Sequence, residues 1–278
     1  MNIYELVRQK GLRLNISPRT IKTYQHCLKV FFKTVRIDPL KLKKRDIENY
    51  IYHLIDQKRS SSTINVHLSS LKFFYQKVLN RRLTIYIPLQ KNVKRLPEFL
   101  TVAELKKVFA AIDNPKHLLM IKLLYSAGLR VSELCNLRVK DLQLEQSYLW
   151  VRQGKGRKDR STVISKYLIN QLMSLIQNEQ LSNSDYLFSP YSKRRSYHPR
   201  SIHAIVKKAS IIAKVRKNIH PHTFRHSFAT HLVEQGNSIQ EVQPLLGHTS
   251  IRTTMKYLHM ARPNINNVIS PLDQLEMY

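Results

Sequence analysis

Two arginines and a tyrosine in this 278-residue chain stand where they could act together on one phosphate. Arg130 closes Gly128-Leu129-Arg130, Arg225 closes His222-Thr223-Phe224-Arg225, and Tyr257 follows nine residues after His248 in Leu246-Gly247-His248. A phosphoryl group in transfer spreads negative charge over its non-bridging oxygens. Planar guanidiniums, each donating two parallel hydrogen bonds, suit that charge better than ammonium groups do. A phenol can attack phosphorus and hold it covalently, which stores the bond energy and lets the bond be remade without ATP. Arg130 and Arg225 are therefore the candidate clamp, and Tyr257 the candidate nucleophile. The oxygen that leaves phosphorus needs a proton as it departs. Lys155, in Gly154-Lys155-Gly156 and surrounded by Arg157, Lys158 and Arg160, has like charges that make its ammonium more acidic and suited to that donation.

Each of these residues also has a plainer reading. Tyr257 is one of fourteen tyrosines, and taken singly it reads as a half-buried core residue. Its place after His248, beyond a short helix opening at Ser250, sets it apart, whereas Tyr278 sits at a fraying terminus. The plainer reading of Lys155 is a basic loop that touches a polyanion. His222 and Arg225, three apart on a helix, share a face and could reach one phosphate. His222 and His226 have the i, i+4 spacing of a zinc pair. Thr223 stands where a metalloprotease has Glu, Arg225 repels a cation, and no carboxylate cluster is near, so neither a metal nor another cofactor is expected. His231 and His259 read as structural or DNA-facing.

Charge names the partner. Lys and Arg number 47 against 18 acidic residues, a formal charge of +29. The excess is distributed: residues 1–95 hold 21 basic and 5 acidic side chains, and residues 96–278 hold 26 and 13. A solvated surface explains a modest excess but not this one. Nucleic acid rewards a distributed cationic surface by releasing condensed counterions, so both halves are expected to face duplex DNA. No apolar run approaches the roughly 20 residues that span a bilayer. The start of the chain, with Glu5, Arg8 and Lys10, lacks a signal-peptide stretch. Cys27 and Cys135 lie in apolar helical patterns and read as reduced core residues, which predicts a cytoplasmic, nucleoid-associated protein.

The elements that must position the site follow from periodicity. Ser17-Pro18 opens a helix with Ile21, Tyr24, Leu28, Phe31, Phe32 and Val35 on one face. Ile47 to Ile55 make a second, and Ile64 to Val78 a third opened by the serines at 60 to 62. A short helix over Ile3, Leu6 and Val7 completes a bundle. Residues 81–97 lose the period and gather Arg, Lys and Pro, which marks a linker. Thr101-Val102-Ala103-Glu104 is a capping box, and the helix over Leu118 to Ala127 stops at Gly128. Tyr148 to Gln153 and Arg160 to Ser165 alternate as the strands of a hairpin with a basic tip. Helices resume at about 166–178 and 200–214, then from His222 to Gln235, and again from Ser238 to Gly247. The expected class is mainly α: an N-terminal helical bundle at 1–83, a basic linker at 84–97, and a mostly helical domain at 98–278 with a small β-hairpin or sheet.

With these residues assembled, the chain resembles the tyrosine recombinases of the phage-integrase superfamily, and most of all their compact Xer and integron-integrase branches. The resemblance rests on Ala127-Gly128-Leu129-Arg130-Val131-Ser132-Glu133-Leu134, Gly154-Lys155-Gly156, His220-Pro221-His222-Thr223-Phe224-Arg225-His226-Ser227-Phe228-Ala229-Thr230, Leu245-Leu246-Gly247-His248 and Thr254-Met255-Lys256-Tyr257. Their order and spacing fit, and they span essentially the whole chain. The resemblance implies a SAM-like core-binding domain and a catalytic domain that together clamp duplex DNA with inverted-repeat half-sites, within a homo- or hetero-tetramer. It further implies Arg130 and Arg225 as the phosphate clamp, Lys155 as the hairpin lysine, His222 as the acid/base histidine, His248 as the second histidine, Tyr257 as the nucleophile and Glu133 as the supporting acid. The tail from Val268 to Asp273 resembles the end of integron integrases, but the stretch between Tyr197 and Ile219 is too short for the extra helix those enzymes use on folded single strands. No long arm domain of the lambda-integrase type precedes residue 17, which points away from control through distant arm sites.

Three activities compete for this reading. A site-specific recombinase would cut through a 3′-phosphotyrosyl bond and rejoin to a partner strand, in chromosome dimer resolution or in mobile-element integration and excision. A DNA-binding module could keep the clamp without the chemistry, but the complete residue set argues against it. A type IB topoisomerase would relax supercoils on any sequence, and the short helical N-terminal domain favours the recombinase.

Overall fold

The computed structural model describes residues 2–81, 97–152, 159–190 and 195–261. Lys155 with its hairpin tip, and all but the last residue of the expected linker at 84–97, lie outside the described residues. The chain divides into two compact units, Met1–Arg95 and Leu96–Tyr278.

In the first unit, α1 (Ile3–Arg13), α2 (Pro18–Val35), α3 (Lys44–Asp56) and α4 (Ser61–Lys72) form an all-helical bundle. Serines start two of them: Ser17 Oγ accepts the Thr20 amide at 3.1 Å, and Ser60 Oγ accepts the Thr63 amide at 3.2 Å. Leu28, Phe31, Ile47, Ile51, Leu68, Leu71 and Phe74 are fully buried at its centre. The helix expected to run on to Val78 does so, but widens into a π-helical segment at Phe73–Val78. The wider turn lets three consecutive aromatics reach protein. Phe73 meets Tyr24 at 5.4 Å between centroids, Phe74 meets Phe32 at 5.7 Å, and Tyr75 donates to the Pro39 carbonyl at 3.3 Å.

The second unit opens with α5 (Val102–Ala110), whose capping box is closed in both directions. Thr101 Oγ1 accepts the Glu104 amide at 3.2 Å, and the Glu104 carboxylate accepts the Thr101 amide at 2.8 Å. Next come α6 (Pro115–Ser126), α7 (Val131–Asn136), the strands β1 (Leu142–Gln143), β2 (Tyr148–Val151) and β3 (Arg160–Val163), then α8 (Lys166–Asn178), α9 (Pro199–Ile212), α10 (Pro221–Glu234), α11 (Ile239–Leu246) and α12 (Ile251–Leu258). The sheet is antiparallel in the order β1-β2-β3, with Tyr148 opposite Val163 and Val151 opposite Arg160. Its first strand is two residues long, too short to carry an alternation.

Leu119, Met120, Ile121, Leu123 and Leu124 bury α6 on nearly every side, as befits a helix at the middle of a domain. It packs on α8 and α10. A separate apolar cluster of Phe228, Ala229, Val242, Leu246, Tyr257 and Met260 joins α10, α11 and α12. Cys27 and Cys135 are buried free thiols. Among the described residues no helix is long and apolar enough to cross a membrane.

Candidate active site

Two glycines make the frame. The turn after α6 and the end of α11 both pass through left-handed backbone, with φ of 56° at Gly128 and 60° at Gly247. That conformation ends a helix cheaply only at glycine. Space enforces the choice too: a Cβ on Gly128 would sit 2.3 Å from Phe228 Cδ1, and one on Gly247 would sit 2.7 Å from Arg160 Cδ. Both turns leave a carbonyl facing inward, and Arg225 of α10 takes both. Its Nη1 donates to the Gly128 carbonyl at 2.7 Å and its Nη2 to the Leu246 carbonyl.

Glu133 gathers the cations. It is the third residue of α7, and its carboxylate accepts the backbone amide of Arg130 at 2.8 Å, closing the start of that short helix. Arg130 Nη1 reaches Oε1 at 2.6 Å. Arg160 of β3 approaches from the other side with two parallel bonds, Nη1 to Oε1 at 2.9 Å and Nη2 to Oε2 at 2.7 Å. Arg225 Nη1 lies 3.7 Å from Oε2. Burial pushes the Glu133 carboxyl up. The bonds and charge of Arg160, with the amide and charge of Arg130, outweigh that and hold it at about 2.

The histidines and the phenol complete the cluster. His248, just past Gly247, places Nε2 3.4 Å from Arg225 Nη2 and Nδ1 2.9 Å from Thr254 Oγ1. A guanidinium only donates, so Nε2 is the acceptor and Nδ1 carries the hydrogen. Burial first, then Arg225, Lys256, Arg130 and Arg160, hold the His248 imidazole down at about 3, so it is neutral at ordinary pH. Thr254 lies one turn before Tyr257 on α12, so His248 is tied to the helix that carries the phenol. The Tyr257 ring lies nearly parallel to His248, with centroids 6.3 Å apart and planes at 10°. It is fully buried, and its hydroxyl lies 3.0 Å from His226 Nδ1. Burial raises the phenol to about 12, opposed by Arg225 and Arg130.

The structure thus brings Arg130, Arg225, His248 and Tyr257 into one cluster. His222 is exposed on α10 one turn before His226, its ring edge-on to His220 at 6.2 Å. Partial burial, then His220, Arg225 and Arg130, lower its proton affinity, so it shares their field without touching them. Among the described residues no group of three or more His, Cys, Asp or Glu is placed to hold a metal ion. His231, by contrast, is a core residue hydrogen-bonded to Tyr125 at 2.9 Å.

Arg160 was not singled out from the sequence, where it is one of several charges around the hairpin. Strand alternation pairs it with Thr162, which is buried and donates to the Ala127 carbonyl at 3.0 Å. A cation on the buried face of a strand signals a fixed partner. Besides Glu133, Arg160 holds the Leu245 carbonyl through Nε at 2.8 Å, which pins the end of α11 that presents His248.

Charge shows what this pocket can do. Three guanidiniums converge on a single carboxylate, leaving excess positive charge in a largely buried place. Among the described residues Arg130 Nε and Nη2 have no protein acceptor, and its side chain keeps 18% exposure, so those donors face outward. A phosphodiester would supply the missing negative charge, and more of it as the transition state forms.

Residues 98–263 match the phage integrase family, and residues 3–85 match its N-terminal SAM-like domain. A tyrosine recombinase of Pseudothermotoga lettingae is 36% identical over 270 residues, 93% of each chain. The tyrosine recombinase XerA of Pyrococcus horikoshii is 35% identical over 94% of this chain and 90% of its own. A XerH site-specific recombinase bound to palindromic difH substrate superposes with a TM-score of 0.72, covering 91% of this chain and 79% of that one, and at 24% identity it bears on the fold alone. The chain belongs to the phage integrase family. Within that family it is a site-specific tyrosine recombinase of the Xer type.

Proposed function

We propose that this recombinase cuts and rejoins duplex DNA through Tyr257, without ATP or a metal. The phenol oxygen bonds to phosphorus while the bond from phosphorus to the 5′ oxygen breaks. That oxygen leaves with a proton from Lys155. The 3′-phosphotyrosyl bond keeps the energy of the broken link, and a 5′ hydroxyl from the partner strand then displaces the tyrosine. Arg130 and Arg225 hold the non-bridging oxygens, with His248 beside Arg225. His222, exposed at the edge of the cluster, takes the phenol proton as Tyr257 attacks and returns it to the tyrosine oxygen when the partner strand's 5′ hydroxyl displaces it, that hydroxyl giving its own proton back to Lys155.

The observation that carries this reading is the cationic cluster around Glu133, assembled from α7, β3 and α10 next to a buried phenol from α12. The excess of basic residues in both units supports duplex DNA as the partner. We take residues 1–83 as a core-binding domain, 84–97 as a basic linker and 98–278 as the catalytic domain, acting at the nucleoid as a tetramer on paired half-sites. On this reading it acts in chromosome dimer resolution or in mobile-element integration and excision.

The test begins with duplexes that the protein retains from a randomised pool, footprinted to find the inverted repeat. A nick beside the scissile phosphate then lets the freed strand diffuse away and traps the adduct. The expected result is a DNA-linked peptide containing Tyr257, and none from Tyr257→Phe. An adduct on another residue, or one that survives Tyr257→Phe, overturns the proposal.

A further inference from the structure

We infer that His226 is a positioning residue for the nucleophile: its Nδ1 accepts the Tyr257 hydroxyl and fixes the phenol oxygen relative to the phosphate clamp. The inference rests on Tyr257 being the nucleophile and adds a residue that the reading above does not use.

The Tyr257 ring is held on its faces and left to be fixed at its tip. His248 lies parallel to it at 6.3 Å, the Lys256 ammonium lies 4.9 Å from its centroid, and Phe228, Val242 and Leu246 share its apolar cluster. Such packing confines the ring but does not direct the hydroxyl. Among the described residues the hydroxyl has one hydrogen-bond partner, His226 Nδ1 at 3.0 Å. A buried hydroxyl left without a partner is unfavourable, so this bond selects one position of the phenol over its neighbours.

The placement of His226 in the sequence makes that position meaningful. It follows Arg225 directly on α10, and Arg225 is locked to the carbonyls of Gly128 and Leu246. One stretch of helix thus carries both the guanidinium that grips phosphate and the imidazole that holds the attacking oxygen. The separation between clamp and nucleophile is set by rigid helical geometry instead of by the long span between residues 225 and 257. Displacement of reacting groups by about 1 Å slows such reactions roughly 100-fold.

His226 does not serve as the base. The groups facing it are Tyr257 and Lys256 from α12 and His222, His220 and Arg225 from its own helix and cap. Burial first, and then the positive neighbours among these, keep its imidazole at about 3, while the phenol stands at about 12. A neutral ring of that kind accepts a hydrogen bond without removing the proton. The contribution is therefore alignment.

The experiment uses the full-length protein and the nicked duplex described above, under single-turnover conditions. His226→Phe is expected to slow adduct formation about 100-fold while leaving DNA affinity within about twofold. His226→Asn, which restores a side-chain acceptor, is expected to recover about tenfold of that loss. A substrate with sulphur at the bridging 5′ position releases a thiolate that needs no proton. It rescues a defect in leaving-group protonation, and it is expected to leave the His226→Phe defect in place. Should the phenylalanine variant not fold, His226→Ala takes its place with the same expectation. A wild-type or faster rate in His226→Phe (or in His226→Ala in its place), rescue by sulphur, or an asparagine variant no better than phenylalanine would each overturn the inference. Tyr257→Phe run alongside separates the two readings: an adduct from that variant sinks the nucleophile, whereas a silent Tyr257→Phe beside a normal His226→Phe sinks only the alignment.

Discussion

Arg225→Lys is expected to lower the single-turnover rate of strand cleavage by about 1,000-fold or more, with DNA binding nearly intact. The charge is conserved, so the long-range attraction to a polyanion barely changes in a chain of net charge +29. The geometry is not conserved. The guanidinium spans two inward-facing carbonyls, Gly128 and Leu246, and reaches His248 at 3.4 Å. A lysine ammonium is a point donor on a flexible stem and cannot reach all three while also meeting two phosphate oxygens. Burial and the neighbouring Arg130 lower the proton affinity of Arg225. A guanidinium stays charged under that pressure, whereas an ammonium in the same place gives up its proton far more readily. Measuring adduct formation and binding on the same duplex separates the terms. A lysine variant that cleaves within about tenfold of wild type would show that charge alone is enough and that the planar clamp is not needed.

The second large effect lies at Glu133 and is read as stability against pH. Glu133→Gln keeps the shape of the side chain and removes the charge on which Arg130, Arg160 and Arg225 converge. The folded carboxyl stands at about 2, below its ordinary value of 4.5. A depressed folded-state value means the carboxylate stabilises the fold above the unfolded value, and that this contribution is lost as pH falls through the folded one. The side chain keeps only 6% exposure, so the contribution is only weakly screened and is on the order of 3 kcal/mol at neutral pH. Glu133→Gln is therefore expected to be less stable than wild type by about that amount at pH 7. The difference should shrink steadily as pH falls from about 4.5 towards 2. Denaturant unfolding of both proteins across this range checks it. A deficit that persists unchanged at low pH would place the loss in packing and not in charge.

The long helices were legible because their apolar spacing, serine starts and glycine stops all point one way. Pro18, the Thr101-Glu104 box and Gly128 mark boundaries within a residue or two of those observed. Local signals ran out where tertiary contacts decide. Nothing in Phe73-Phe74-Tyr75 announces that the helix widens there, because three adjacent buried aromatics are reconciled only by the partners waiting at Tyr24, Phe32 and Pro39. The two-residue strand at Leu142 exists only through its pairing with Leu149.

The candidate site divides in the same way. Arg130, Arg225 and Tyr257 could be picked out as candidates from residue type, whereas Glu133 and His248 entered through the resemblance to the family, and the glycine stops beside Arg130 and His248 mark where chain direction changes. Arg160 was hidden because its significance depends on which face of β3 it occupies and on a carbonyl at Leu245, 85 positions away. His226 was visible only as a neighbour of the helix face, since its contact with Tyr257 spans 31 positions that no periodicity connects. Lys155 lies outside the described residues, and its role stands on residue type and position in the hairpin.

The proposed function requires that a phosphorus held by the guanidiniums of Arg130 and Arg225 lie within bonding reach of the Tyr257 oxygen. Orthovanadate takes up five oxygen ligands in the shape of the transition state, so a structure of the protein with nicked duplex and vanadate would report that arrangement directly. The account predicts vanadium bonded to the Tyr257 oxygen at one apex and to the 5′ oxygen at the other, with the side chains of Arg130 and Arg225 on the equatorial oxygens. Vanadium joined to a different side chain, or equatorial oxygens beyond the reach of both arginines, would contradict it.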